Sequence, residues 1–250
     1  MKRITIGCWL AFLCLAANAR PLSEYRAELY RLFVERQMMQ WAPILQEMQS
    51  DPDCDTREGA EEIICGYYGL VGHYLDKKKK DEASDCLSHL VPLAKSYVKR
   101  YPESMRLLAL RANITGFRIA LSPMKATILA VGMLSDVRSA YNKQPDDPWL
   151  KILYGNVFLY MPDMLGGDIE KSIAYYEDAR KLFEQNPDEI RENWLYLQLL
   201  VTIGLSYEKS GQLEKASEMY AWLMKEYPQY TFVTETLYPR VQEKIRKNND

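Results

Sequence analysis

Apolar positions recur at intervals of three and four along most of this chain, and proline breaks the pattern at regular points. The clearest instance is residues 197–228. There Leu200, Ile203 and Tyr207 share one helical face, Ser210-Gly211 makes a tight turn, and Ala216 and Tyr220 line a second helix that stops at Pro228. The physical roles follow from residue type. Gly204 and Ala216 are small enough for two antiparallel helices to approach closely, while the larger side chains fill the seam between them. Gly211 accepts the turn, and Pro228 forbids another helical turn.

The same period extends upstream. Residues 22–48 predict a long amphipathic helix, kinked or split at Pro43. A helix starting near Thr56 carries Ile63, Ile64, Tyr67, Tyr68, Val71 and Tyr74, with Gly66, Gly69 and Gly72 spaced by three. Three helical glycines cost about 1 kcal/mol each relative to alanine, so close packing or a bend must require them. Partner helices follow over residues 81–100, 103–121, 122–141, 149–160 and 169–185, with Ser122-Pro123 and Asp168 as helix starts. A last helix spans residues 231–247.

Pro102, Pro145, Pro187 and Pro228 stand 43, 42 and 41 residues apart, and each closes one helix pair. A near-constant period of this size marks stacked helical hairpins. With the residues of 197–228, it resembles the tetratricopeptide (TPR) superfamily, although the period exceeds the 34 residues of a plain TPR. The third pair shows where length is added: Gly155 to Gly167 spans 12 positions where Gly204 to Gly211 spans 7, and the extra residues fall in 161–165. This extended turn resembles one in exported bacterial TPR-like proteins, including the component accompanying TRAP-type solute transporters. The expected fold is all-α: a right-handed solenoid of four antiparallel pairs (residues 56–102, 103–145, 146–187 and 188–228) with capping helices at 22–50 and 230–247.

The N-terminus adds a compartment. Lys2-Arg3, an apolar run over residues 4–17 and Ala17-Asn18-Ala19 form an export signal with cleavage expected after Ala19, leaving one domain over residues 20–250 and a periplasmic location. The apolar run is short for a membrane span. A lipid anchor needs a cysteine at its end, where Cys14 follows bulky Phe12-Leu13 and Cys8 lies too early. Of 32 basic residues, Lys2 and Arg3 leave with the signal, so 30 face 34 acidic ones and the net charge is −4. That balance does not suit nucleic acid. Cys54, Cys65 and Cys86 remain; one pair can bridge, or all three can pack as buried thiols.

Candidate chemistry is sparse. Asp51, Asp53, Asp55 and Glu62 occupy positions 1, 3, 5 and 12 of a calcium-loop spacing, but Thr56 stands where that loop needs glycine. Solvated capping of a helix start explains the same acids. Lys77 to Lys80 form a basic run, suited to an anionic lipid or partner surface or to a solvated loop. His73 with Asp76, and Cys86 with His89, are two-residue pairs short of a metal set. No nucleophile motif accompanies either histidine, so no enzymatic activity and no cofactor are expected.

In the TPR pattern the first helix of each pair lines a concave face at its second, fifth, ninth and twelfth positions. These are Gln198, Val201, Leu205 and Glu208 in one pair and Trp149, Ile152, Asn156 and Leu159 in another. The resemblance implies a non-enzymatic scaffold binding a protein or peptide along this groove, with Trp149, Ile152 and Leu205 as apolar anchors. The alternative is a periplasmic solute-binding module, transporter-associated, in which the 161–165 turn closes one end of the groove. Several of the eight residues can instead pack on a neighbouring pair.

Overall fold

A computed structural model describes residues 20–249; the export-signal reading of residues 1–19 lies outside them. The described residues form helices and turns with no strand. In chain order the helices are α1 (Leu22–Val34), α2 (Trp41–Ser50), α3 (Arg57–Asp76), α4 (Lys80–Arg100), α5 (Met105–Leu121), α6 (Ala126–Lys143), α7 (Pro148–Tyr160), α8 (Ile169–Glu184), the single turn α9 (Pro187–Ile190), α10 (Trp194–Lys209), α11 (Leu213–Glu226) and α12 (Tyr238–Asn249). Short turns join α3 to α4, α5 to α6, α7 to α8 and α10 to α11, and each of these pairs packs along its length.

The punctuation read from the prolines holds: α4, α6, α8 and α11 end two or three residues before Pro102, Pro145, Pro187 and Pro228. The starts are just as regular. Thr56, Ser104, Asp147 and Asn193 each accept a backbone N–H within the first turn of α3, α5, α7 and α10, and Asp168 does so for α8. Each such cap contributes about 1 kcal/mol. Small residues sit where the seams are tightest. A Cβ on Gly155 would meet the Tyr176 ring at 2.8 Å, and the equivalent Gly204 lies against the equivalent Tyr220.

Four expectations are corrected. The helix of residues 22–48 breaks at Glu35–Gln40, before Pro43. Arg36 takes a left-handed conformation (φ 62°) while Gln37 N–H reaches back to the Leu32 carbonyl, a C-terminal cap that glycine usually supplies. Pro43 falls in the first turn of α2, where its missing N–H costs nothing. Ser122 makes no side-chain cap; Pro123 opens a 3-10 turn, and α6 begins at Ala126. The last segment opens on a wide π turn, Val233–Leu237, which accommodates Pro239 just inside α12.

The fourth correction concerns the ends. The α1–α2 hairpin packs on α3, as a cap would, but α1 also packs on α10 of the last pair. Trp41 meets Trp194 edge-on at 4.9 Å, and Phe33 lies 6.1 Å from Trp194 and 5.2 Å from Tyr230. Trp41 is fully buried and donates its indole N–H to the Leu29 carbonyl at 3.1 Å. First and last pairs therefore share one core, sealed by the N-terminal hairpin. Gly69 makes this possible, because a Cβ there would meet the Trp194 ring at 2.7 Å and the Trp41 ring at 3.0 Å.

Candidate functional site

The first helices of the pairs lie side by side in parallel register. Ser104 of α5 donates to Glu61 of α3 at 2.6 Å, Asn113 of α5 donates to the Leu153 carbonyl of α7 at 3.1 Å, and Lys209 of α10 reaches the Leu159 carbonyl at 3.2 Å. Their shared inward face is curved strongly enough for Tyr68 of α3 to reach α7 directly: Asn156 donates to its hydroxyl at 2.9 Å, across 88 residues. Asn156 also donates to Asn113 at 3.3 Å and accepts from the buried Tyr176 hydroxyl at 2.7 Å. This polar knot forms the floor of the concave face. Burial pushes the Tyr68 and Tyr176 phenols well up, so both stay neutral donors or acceptors.

Above the floor stand aromatic surfaces. Tyr68 stacks on Phe117 with ring centres 4.9 Å apart and planes inclined by 23°. Gly72, one turn along α3, lies beside Phe117: a Cβ there would stand in ordinary contact with the ring tip at 3.7 Å. Tyr160, at the end of α7, is 74% exposed, yet the surrounding protein desolvates its phenol enough to raise its pKa, with Asp76 adding to the shift. His73, next to Gly72 in α3, is half-buried, and burial, with Lys77 nearby, lowers its pKa and keeps the imidazole neutral.

The eight expected groove residues distribute unevenly over this face. Trp149 and Ile152 are buried, with the Arg106 guanidinium 4.8 Å over the Trp149 ring; Val201 is buried in α10. These three are core residues, because the tight curvature brings the pairs into contact where a wider superhelix leaves a channel. Asn156 belongs to the polar floor. Glu208 is buried in an ion cluster with Arg240, Lys244 and the Tyr220 hydroxyl. Leu159, Gln198 and Leu205 are half-buried; Gln198 donates to Thr202 at 3.2 Å. The sequence reading missed Tyr68, Phe117 and Tyr160 as a group. Of the glycines at 66, 69 and 72 only Gly72 borders Phe117, while the other two pack against Leu45 and the tryptophans, so the glycine run did not mark this group.

The other candidates resolve individually. Asp51 accepts from the Asp53 and Arg20 backbones and from Tyr25; Asp55 pairs with Arg100; Glu62 is buried against Arg26. These four carboxylates serve caps and ion pairs, and among the described residues no three His, Cys, Asp or Glu side chains converge. His89 lies 3.2 Å from Gln49 and packs on Tyr67. Cys54, Cys65 and Cys86 are free thiols, and burial raises all three, Cys54 and Cys86 to about 11.

No protein-family model matches the chain, and no curated protein matches it. Among solved structures, it is similar to the HusA haemophore from Porphyromonas gingivalis. The two superpose with a TM-score of 0.59 over 77% of this chain and 96% of that one, at 12% identity. At that identity the likeness shows the fold. No helix of the described residues is long and apolar enough to cross a membrane.

Proposed function

We propose that this chain is an exported, non-enzymatic binding module, built as a closed TPR-like array, whose concave face takes a flat, largely apolar small molecule of the porphyrin class. The observation that carries the reading is the Tyr68–Phe117 stack beside the Asn156 polar knot, with the exposed Tyr160 at the end of α7. An outer face of such a stacked pair binds a flat conjugated ring by offset stacking and area burial. The neutral imidazole of His73 is a donor of the type that ligates a porphyrin iron. The fold shared with a haemophore supports the same class. Two of the three anchors of a peptide groove, Trp149 and Ile152, are within the core, which disfavours the peptide reading.

The test is titration of the chain from residue 20 with haem and with metal-free protoporphyrin, followed by the Soret band and by tyrosine and tryptophan quenching. Saturable one-to-one binding of both is expected. Tyr160→Ala combined with Phe117→Ala weakens both at least tenfold, and His73→Ala alters the Soret position of haem alone. Absence of saturable binding of either compound by the folded protein refutes the porphyrin reading.

A further inference from the structure

Four turns, α3–α4, α5–α6, α7–α8 and α10–α11, follow helices that run in parallel register, so they lie along one edge of the molecule. This edge holds the large apolar side chains that the fold leaves exposed. Met124, Ile128 and Val131 stand on the second turn and the start of α6, with Met124 90% exposed. Tyr160, Met164 and Leu165 stand on the third, with Met164 also 90% exposed. The remaining exposed one, Met39, sits with its sulfur 3.5 Å from the Lys79 ammonium of the first turn. Burial elsewhere is efficient, so this clustering calls for an occupant.

Charge indicates which. Lys77 to Lys80 crowd the first turn, and Arg118 and Lys125 flank the second. Lys77 and Lys79 pair with Asp76 and Glu82 at 3.3 and 3.5 Å, while Lys78, Lys80, Arg118 and Lys125 form no ion pair among the described residues. On the third turn Asp168 caps α8 and Glu170 accepts from Gln212 at 3.0 Å, while the exposed Asp163 forms no ion pair among the described residues and offsets one of these four cations. A chain that is acidic on balance thus has a cationic, apolar edge, and an anionic plane orients it with that edge inward. Met124, Met164 and Leu165 stand on the turns, while Ile128 and Val131 continue along α6, where Val131 also borders a cavity with Leu134 and Arg138. Single exposed apolar side chains flanked by lysines suit insertion into a soft flat interface.

We infer that the turn edge is a docking surface for an anionic lipid membrane, with Met124, Ile128, Met164 and Leu165 entering the headgroup boundary and Lys78, Lys80 and Lys125 meeting lipid phosphates. Tyr160 belongs both to this edge and to the proposed ligand face, so docking turns that face toward the bilayer. The inference stands whatever ligand that face takes, because it is tested without one.

The experiment is vesicle flotation of the chain from residue 20. One vesicle set is pure phosphatidylcholine, and the other has one third replaced by phosphatidylglycerol. The expected result is flotation with the anionic vesicles, weakened by salt, and at least tenfold weaker partitioning to the neutral set. Met124→Asp with Met164→Asp abolishes it, and Lys78→Glu with Lys125→Glu weakens it more than tenfold, at about fivefold for each lysine lost. These side chains are exposed, so an unchanged thermal melt shows that each variant is folded. Flotation that is absent, equal on neutral vesicles or unaffected by the methionine pair overturns the inference. So does a dimer in solution that the methionine pair disperses, which assigns the edge to a second copy of the chain.

Discussion

Glu208 ties the C-terminal helix to the last pair, and its replacement measures how much that tie is worth. The carboxylate is 3% exposed. It accepts from the Tyr220 hydroxyl at 2.7 Å, from Arg240 at 2.6 and 3.2 Å and from Lys244 at 2.9 Å. Breaking a deeply buried pair costs about 3–5 kcal/mol, whereas an exposed pair is worth under about 1 kcal/mol. Arg240 and Lys244 are 41% and 47% exposed, so they regain water when the carboxylate is lost. Glu208→Gln keeps an acceptor for Tyr220 and removes both ion pairs, and an intermediate loss of about 2 kcal/mol is expected. In a domain of this length that lowers the Tm by about 4–8 °C. Urea unfolding at pH 7 gives the free energy, and a double-mutant cycle with Arg240→Met isolates the pair, with coupling of about 1 kcal/mol expected.

The pH dependence carries a sign. Burial alone raises the Glu208 pKa, but hydrogen bonds from Arg240, Lys244 and Tyr220 outweigh it and hold the carboxyl below its ordinary 4.5. The stabilisation is therefore complete above that ordinary value and fades as pH falls through the depressed folded value. The gap between wild type and Glu208→Gln stays constant from pH 7 to 5 and closes in more acid solution. A loss under about 0.5 kcal/mol at pH 7, or a gap that widens on acidification, refutes the reasoning.

Two further measurements probe the seams and the floor. A Cβ added at Gly132 would have nothing within 4 Å, whereas one at Gly155 would meet Tyr176. Gly132→Ala is expected to stabilise by about 0.5–1 kcal/mol through helix propensity, and Gly155→Ala to destabilise by about 1–3 kcal/mol through overpacking; urea unfolding of both variants checks the opposite signs. Tyr176→Phe leaves the Asn156 carbonyl oxygen without its 2.7 Å donor. It should cost about 1–3 kcal/mol and loosen the concave floor, read as faster amide exchange in α7.

The hairpin architecture was legible because its signals are local. Each proline stop and each glycine or alanine at a seam acts within a few residues of its own position. The Arg36 and Lys78 turns were not legible, although they repeat the cap that Gly211 makes: Lys79 N–H reaches the Tyr74 carbonyl as Gln212 N–H reaches Tyr207. Only glycine announces a left-handed residue in advance, and at Arg36 and Lys78 surrounding packing carries the strain. The concave face failed for a different reason. Register within a helix places Trp149, Ile152 and Val201 inward correctly, but whether inward means groove or core depends on how tightly successive pairs turn, which is a sum of small rotations that no single residue encodes.

That sum decides what the molecule can hold. A wide superhelix offers an open channel across several pairs and fits an extended chain. Here Trp194 of the last pair lies against Gly69 of the first, with Trp41 of the N-terminal hairpin wedged between, so the channel is closed at its centre. What stays open is the part of the inward face toward the turn edge, where Gly72 withholds a side chain and Tyr160 projects. In the proposed reading this part of the face, with the Tyr68–Phe117 pair beside the Asn–Tyr knot, takes a compact flat ligand. Opening the closure should therefore change ligand class as well as stability: Gly69→Val forces the two tryptophans apart. The expected outcome is loss of cooperative unfolding between the first and last pairs together with loss of porphyrin binding. Retention of tight porphyrin binding by such a variant would place the ligand away from this face.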